Sequence, residues 1–338
     1  MLKPKNILVI RLSAMGDVAM IVPVIRAFCN QYPEVKITIL TREFFNPFFR
    51  GLNKVAVFNA DVKVKHKGLI GLYKLSKKLK QYNFDAVADL HNVLRSNILK
   101  KLLEVNRFAQ IDKGRAEKKA LISGKIFQQL KTTHLRYADV FEQLGYKIDL
   151  SNPTYPKTVT LTESLQELIK KDTKQCIGIA PFAAHKGKMY PLELMDKVIK
   201  ELSKEHHILL FGGGKEEIIQ LDKLANQHQN ITNVAGRLTL NEELDVISNL
   251  DIMLSMDSGN GHMAAMLGTR VITIWGVTHP FAGFIPFNHS LDSCLMANRT
   301  EFPKIPTAVY GNKYPKDYEC AISSILPKEI IAKVKSSL

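Results

Sequence analysis

The sequence predicts an α/β protein of two domains, each a parallel sheet flanked by helices. Three observations carry that expectation. Short β-rich runs alternate with amphipathic helical patterns almost from end to end. The chain has 338 residues, too many for one ordinary domain and comfortable for two. The charge balance also changes near residue 150.

In the first half, residues 7–12, 36–40, 55–58, 85–90 and 108–111 are the predicted strands, with helices over 18–30, 69–82 and 94–103. In the second half the strands are 176–180, 207–211, 231–234, 252–256 and 271–275, and the helices are 192–204, 216–228 and 241–250. Strands alternating with helices imply βαβ units and therefore parallel sheets. The turn-rich Ser151-Asn152-Pro153 and Pro156, followed by a helix and a Lys-rich loop ending at Lys174, mark the break. We divide the chain into a basic first domain, residues 1–158, and a second domain, residues 159–326, with a cleft expected between them. Residues 327–338 open with a proline suited to a helix N-terminus and are expected to pack back on the first domain.

Composition bounds the function. At 46% hydrophobic and 23% charged residues, the chain has the make-up of a globular protein. The apolar run from Ile7 to Ile10 is too short for a secretory signal or a membrane span, so a cytoplasmic protein with at most surface contact to a membrane is expected. Cys29, Cys176, Cys294 and Cys320 lie far apart, without metal-ligand spacing, so neither disulfides nor a structural metal is expected. Residues 1–150 hold 27 Lys and Arg against 12 Asp and Glu, a net +15, whereas residues 151–338 hold 20 of each. A one-sign field over one domain attracts polyanions or anionic lipid surfaces. No basic–aromatic interleaving or recognisable module supports nucleic acid as the partner.

Ligands of open α/β sheets bind beyond the carboxyl ends of the strands, so the loops there hold the candidates. The first runs Arg11-Leu12-Ser13-Ala14-Met15-Gly16-Asp17 into a helix. Asp17 falls at a helix start, where the dipole favours a carboxylate, and it is either a plain capping residue or a general base. The loop lacks G-x-G-x-x-G, so a dehydrogenase-type dinucleotide site has no support. In Asp257-Ser258-Gly259-Asn260-Gly261-His262, a strand runs into glycines and a helix predicted to begin near His262. Backbone N–H groups there can cradle a diphosphate, and a turn with a capping Ser or Asp is the lesser alternative from these residues alone. Two more loops follow strands in the same domain. One is Pro181-Phe182-Ala183-Ala184-His185-Lys186-Gly187-Lys188, with cations suited to phosphates; the other is Gly212-Gly213-Gly214-Lys215-Glu216-Glu217, whose acidic helix start suits a ribose. In the first domain, Asp89-Leu90-His91-Asn92-Val93-Leu94-Arg95-Ser96 offers His91 and Arg95 for an anionic acceptor; His91 reads at least as well as an ordinary helix-start histidine, and Arg95, a guanidinium clamp, is the better candidate.

The segment from Ile7 to Val18, the Asp89–Ser96 segment, Gly236-Arg237-Leu238-Thr239-Leu240, and Asp257-Ser258-Gly259 with His262 resemble glycosyltransferase family 9, the ADP-heptose–lipopolysaccharide heptosyltransferases. The resemblance runs from residue 7 to about residue 280. It implies a GT-B fold of two Rossmann-like domains and inverting, metal-independent transfer with no cofactor, Asp17 being the catalytic base. It also implies donor contacts from Ala183, Ala184, Lys188, Glu216, Leu238, Asp257, Ser258, Gly259 and His262. Acceptor contacts would come from Arg11, Ser13, Met15, Gly16, His91, Arg95 and Lys186. The acceptor would be a lipid A–Kdo-type inner core on the cytoplasmic face of the inner membrane. Ala183 and Ala184 depart from the hydroxyl residues the family can use on the donor phosphates. Asn260-Gly261 and His279 are further departures. The alternatives are the same fold with another nucleotide sugar and another surface glycan, or a nucleotide-sugar binding protein that has lost turnover.

Overall fold

The computed structural model describes residues 3–169 and 174–338, so most of the predicted Lys-rich loop lies outside the described residues. The chain forms two compact units. The first contains Met1–Gly114 and Lys131–Thr154, the second Arg115–Leu130 and Tyr155–Leu338.

In the first unit β1 (Asn6–Ile10), α1 (Met15–Gln31), β2 (Lys36–Thr41), β3 (Val55–Asn59), α2 (Gly68–Lys80), β4 (Ala86–Asp89), α3 (Leu94–Leu103) and β5 (Arg107–Gln110) follow in order. The strands form one sheet, β3-β2-β1-β4-β5, with every pair parallel. The central strand β1 buries Ile7, Leu8, Val9 and Ile10 completely. A strand covered by helices on both faces is apolar without alternation, which is why these runs were legible as strands.

Helix α4 (Arg115–Ile122) opens the second unit, α5 (Thr133–Gln143) belongs to the first, and the second then runs through α6 (Glu163–Ile169), β6 (Cys176–Ala180), α7 (Leu192–Leu202), β7 (His207–Leu210), α8 (Lys215–Gln227) and β8 (Ile231–Asn233). Then come α9 (Leu240–Ile247), β9 (Ile252–Met256), α10 (Gly259–Leu267), β10 (Arg270–Trp275), β11 (Cys294–Met296) and α11 (Pro327–Ser337). The sheet order is β11-β10-β9-β6-β7-β8, again wholly parallel. The sequence offered no sign of β11. It is a three-residue edge strand, too short to show a period.

Three placements differ from the sequence expectation. The units part at Thr154–Tyr155, and residues 115–130, assigned from sequence to the first domain, belong to the second unit. Leu121 and Leu130 there share an apolar cluster with Ala282, the Leu130 N–H donates to the Phe281 carbonyl at 2.9 Å, and the Lys118 ammonium sits 4.2 Å from the Phe284 ring centre. Helix α11 inserts Ile330 and Val334 into the second unit's main core beside Met195, Val198 and Leu202 of α7. Its apolar face is thus used within its own unit, where the sequence reading sent it to the first domain. Among the described residues no helix is long and apolar enough to cross a membrane.

Candidate active site

In the first sheet β1 and β4 are neighbours, and the chain order runs outward from them in opposite directions. At such a switch point the loops after the two strands diverge and leave a crevice at the carboxyl edge. Arg11, Ser13 and Asp17 follow β1; His91 follows β4. Arg11 is buried, donates from Nη1 to the Leu90 carbonyl at 2.7 Å, and places Nη2 2.5 Å from Asp17 Oδ2. The Ala14 N–H reaches the same oxygen at 3.3 Å, so Asp17 does close the first turn of α1. Its Oδ1 takes no hydrogen bond among the described residues. The capping and site readings of Asp17 are therefore compatible: Oδ2 holds the cap and the arginine, and Oδ1 is left open.

His91 is held from below. Its N–H and that of Asn92 donate to Asp89 Oδ1 at 2.9 and 3.0 Å, and Gln110 Nε2 donates to Asp89 Oδ2 at 2.7 Å. The ring Nε2 lies 3.4 Å from Ser13 Oγ. Burial first, and then the Arg11 charge, push the imidazole down to about 4, so His91 is neutral near pH 7 and serves as a hydrogen-bonding group. Tyr137 of α5 is fully buried, with the Arg11 guanidinium 5.9 Å from its ring centre. Arg11 Nε, His91 Nδ1 and the Tyr137 hydroxyl are buried without partners among the described residues. Each such orphan costs about 1–3 kcal/mol, and a polar ligand satisfies it. Met15 and Gly16 open α1, half-buried, and Arg95 stands exposed at the second position of α3.

The second sheet has its switch point between β6 and β9. There Lys188 Nζ lies 2.8 Å from Asp257 Oδ2 and donates to the Asp257 carbonyl at 3.2 Å. Thr278 Oγ1 donates to Asp257 Oδ2 at 2.9 Å. An ammonium has three N–H groups, so Lys188 keeps one for a ligand. Helix α10 starts at Gly259, three residues earlier than its predicted start, which makes Ser258 the N-cap. The Ser258 hydroxyl makes no capping bond and has no partner among the described residues, although it is buried. A free hydroxyl at the positive end of a helix is suited to an anionic oxygen. Gly261 lets α10 approach β9, because a Cβ there would come 2.6 Å from Ser255 Oγ. His262 is buried in the same helix.

The remaining donor candidates lie on loops at the same edge. Ala183 is half-buried and Ala184 exposed, neither carrying a hydroxyl, and Leu238 is half-buried before α9. Glu216 is exposed in the first turn of α8, whereas Glu217 caps the loop by accepting from the Gly213 N–H at 2.8 Å. That engagement leaves Glu216 the better ribose candidate. Lys186 shares a tight turn with Lys188 in the second unit and is exposed. Among the described residues no group of three or more His, Cys, Asp or Glu side chains is arranged to hold a metal ion. All four cysteines are free.

The model of glycosyltransferase family 9 (heptosyltransferase) matches residues 72–313. The chain belongs to glycosyltransferase family 9. It is 24% identical to the lipopolysaccharide core heptosyltransferase OpsX of Haemophilus influenzae over 294 residues, 85% of this chain and 83% of that protein. A family 9 glycosyltransferase structure from Veillonella parvula superposes with a TM-score of 0.77 at 17% identity, covering 100% of this chain and 98% of the other. The Escherichia coli heptosyltransferase WaaC, solved with ADP, gives a TM-score of 0.68 at 17% identity over 98% of this chain and all of the other. The fold is GT-B, and this family 9 member is a glycosyltransferase.

Three residues that shape this family 9 site escaped the sequence reading. Asp89 was noted only as part of its segment, yet it anchors the His91 turn. Thr278, next to His279, was not singled out, yet its hydroxyl clamps Asp257. Tyr137 lies far along the chain in a helix of ordinary composition, and no local pattern marks it. His279 is buried, accepts from the Phe281 N–H at 3.1 Å, and is pushed down to about 4 by burial and then by Arg299. It is a neutral packing group against Phe127 and Phe281.

Proposed function

We propose that this chain transfers heptose from ADP-heptose to the inner core of lipopolysaccharide, with inversion and without a metal or other cofactor. The observation that carries the reading is the Asp17 carboxylate, oriented through Oδ2 by Arg11 and open at Oδ1. In this mechanism an acceptor hydroxyl gives its proton to Asp17 Oδ1 while its oxygen attacks the anomeric carbon. The anomeric carbon–oxygen bond breaks as the new bond forms, and its electron pair leaves with the diphosphate. The remaining Lys188 N–H, the Ser258 hydroxyl and the amides at the α10 N-terminus meet the charge on that leaving group, a role a metal ion fills elsewhere. Glu216 holds the ribose and His262 the phosphate or sugar.

Heptose and ADP are supported by the names of the relatives, OpsX as a lipopolysaccharide core heptosyltransferase and WaaC solved with ADP. The acceptor then carries phosphate and acidic sugars on a lipid, which fits the +15 charge of residues 1–150 and a working place on the cytoplasmic side of a membrane. Neutral His91 and Ser13 orient the acceptor hydroxyl, and Arg95 meets an acidic group.

Calorimetric titration with ADP, UDP, GDP and CDP tests the donor. A clear ADP preference is expected. Preference for another nucleotide replaces the sugar while keeping the chemistry, and no binding to any removes the ADP-heptose reading.

A further inference from the structure

The outward face of α2 and the loop before it join bare aliphatic side chains to a dense positive field. Val64, Leu69 and Ile70 are 76%, 69% and 74% exposed, and Tyr73 is 50% exposed. Around them Lys63, Lys65, Lys67, Lys74, Lys77 and Lys78 are all exposed. Residues 61–80 contain a single acid, Asp61, whose carboxylate is occupied by the N–H groups of Lys63, Val64 and Lys65 at 3.3, 3.0 and 3.2 Å. The core does not account for the aliphatics, because α2 turns Gly71, Leu72, Leu75, Ser76 and Leu79 inward instead.

The protrusion is held in place. The His66 N–H donates to the Asp61 carbonyl at 2.7 Å, and the Asp61 N–H donates back to His66 Nδ1 at 3.1 Å. A Cβ on Gly71 would come 2.4 Å from the His66 carbonyl carbon, so glycine is what lets the loop lie on the helix. Helix α2 follows β3, which puts its first turn at the carboxyl edge of the first sheet. Asp17 follows β1 at that same edge. Phe44, 54% exposed after β2, and Leu94, 76% exposed after β4, extend the apolar rim there.

We propose that Val64, Leu69, Ile70 and Tyr73, within their ring of lysines, seat this chain on an anionic lipid bilayer. The aliphatics enter the headgroup boundary and the lysines meet lipid phosphates. Charge complementarity selects this occupant. A second copy of the same face would bring like charges together, and a nucleic acid would leave the aliphatics in water. The purpose, though not the surface, rests on the reading of a lipid-linked acceptor. Seating this edge lets the glycan reach Asp17 while its lipid stays in the bilayer.

The test is sedimentation of the full chain with vesicles of phosphatidylcholine alone or mixed with phosphatidylglycerol, at low and high salt. Binding is expected only with phosphatidylglycerol and should weaken with salt. A Lys63→Gln/Lys65→Gln/Lys67→Gln variant is expected to lose about fivefold per lysine. A Leu69→Ser/Ile70→Ser variant is expected to lose about tenfold or more. All these positions are exposed, so folding and transfer to a lipid-free acceptor should be retained. Equal binding to both vesicle types, no binding, or unchanged variants would overturn the proposal. So would self-association that the Leu69→Ser/Ile70→Ser variant abolishes, since the face would then join two copies. Vesicle binding without ADP preference would leave this surface standing and remove the heptose reading alone.

Discussion

The Arg11 guanidinium lies 2.5 Å from Asp17 Oδ2, and the same arginine ties β1 to β4 through the Leu90 carbonyl at 2.7 Å. One buried cation therefore aims the carboxylate and joins the two loops of the first unit's switch point. Asp17→Asn preserves shape while removing the proton acceptor. Transfer is expected to fall by about 10²–10⁴-fold with nucleotide affinity unchanged. Turnover assays beside calorimetry decide this, and a matching loss of affinity would make Asp17 a structural or donor-holding residue.

Lys188 and Asp257 form an ion pair that is nearly out of solvent. Lys188→Met removes the ligand-facing N–H and also leaves a carboxylate near the diphosphate. Nucleotide diphosphate affinity is expected to drop about tenfold to a hundredfold, since a charge-assisted bond contributes roughly 1.5–3 kcal/mol. Adding Asp257→Asn should restore part of it. If the double variant binds no better than Lys188→Met, the carboxylate does not repel the ligand, and unchanged affinity in Lys188→Met takes the lysine out of the site.

Gly261→Ala would drive a methyl group to 2.6 Å from Ser255 Oγ, a buried hydroxyl already bonded to the Met256 carbonyl at 2.9 Å. Neither strand β9 nor the hydroxyl can yield easily, so a loss of about 1–3 kcal/mol is expected. Urea denaturation measures it. Wild-type stability in this variant would show that α10 is free to move away from the sheet.

Glu243, in the first turn of α9, is pushed up to about 7 by burial. The folded chain therefore holds this proton more tightly than the unfolded chain does. Between roughly pH 4.5 and 7 the native state binds more protons, and the site's contribution to stability declines as pH rises. Glu243→Gln should accordingly gain thermal stability over the wild type at pH 8 and lose that advantage at pH 5. Melting curves that keep a constant offset across this range would exclude the raised carboxyl.

The amino-acid sequence by itself determined the parallel α/β architecture, ten of the strands and the loops that follow them. Central parallel strands are buried on both faces, so each appears as an unbroken apolar run. Glycines and a capping acid mark the strand-to-helix turns within a few residues, which is why Asp17 and the Asp257–His262 segment were legible without coordinates. The tertiary structure decided which of those loops meet. Lys188 reaches Asp257 across 69 positions of chain, and Ser13 reaches His91 across 78, because strand order makes β6 adjoin β9 and β1 adjoin β4. It likewise placed Tyr137 beside Arg11, gave residues 115–130 to the second unit and turned α11 onto α7. Such pairings depend on which apolar faces are left to cover once the sheets have formed, and no signal confined to a few neighbouring residues encodes that choice.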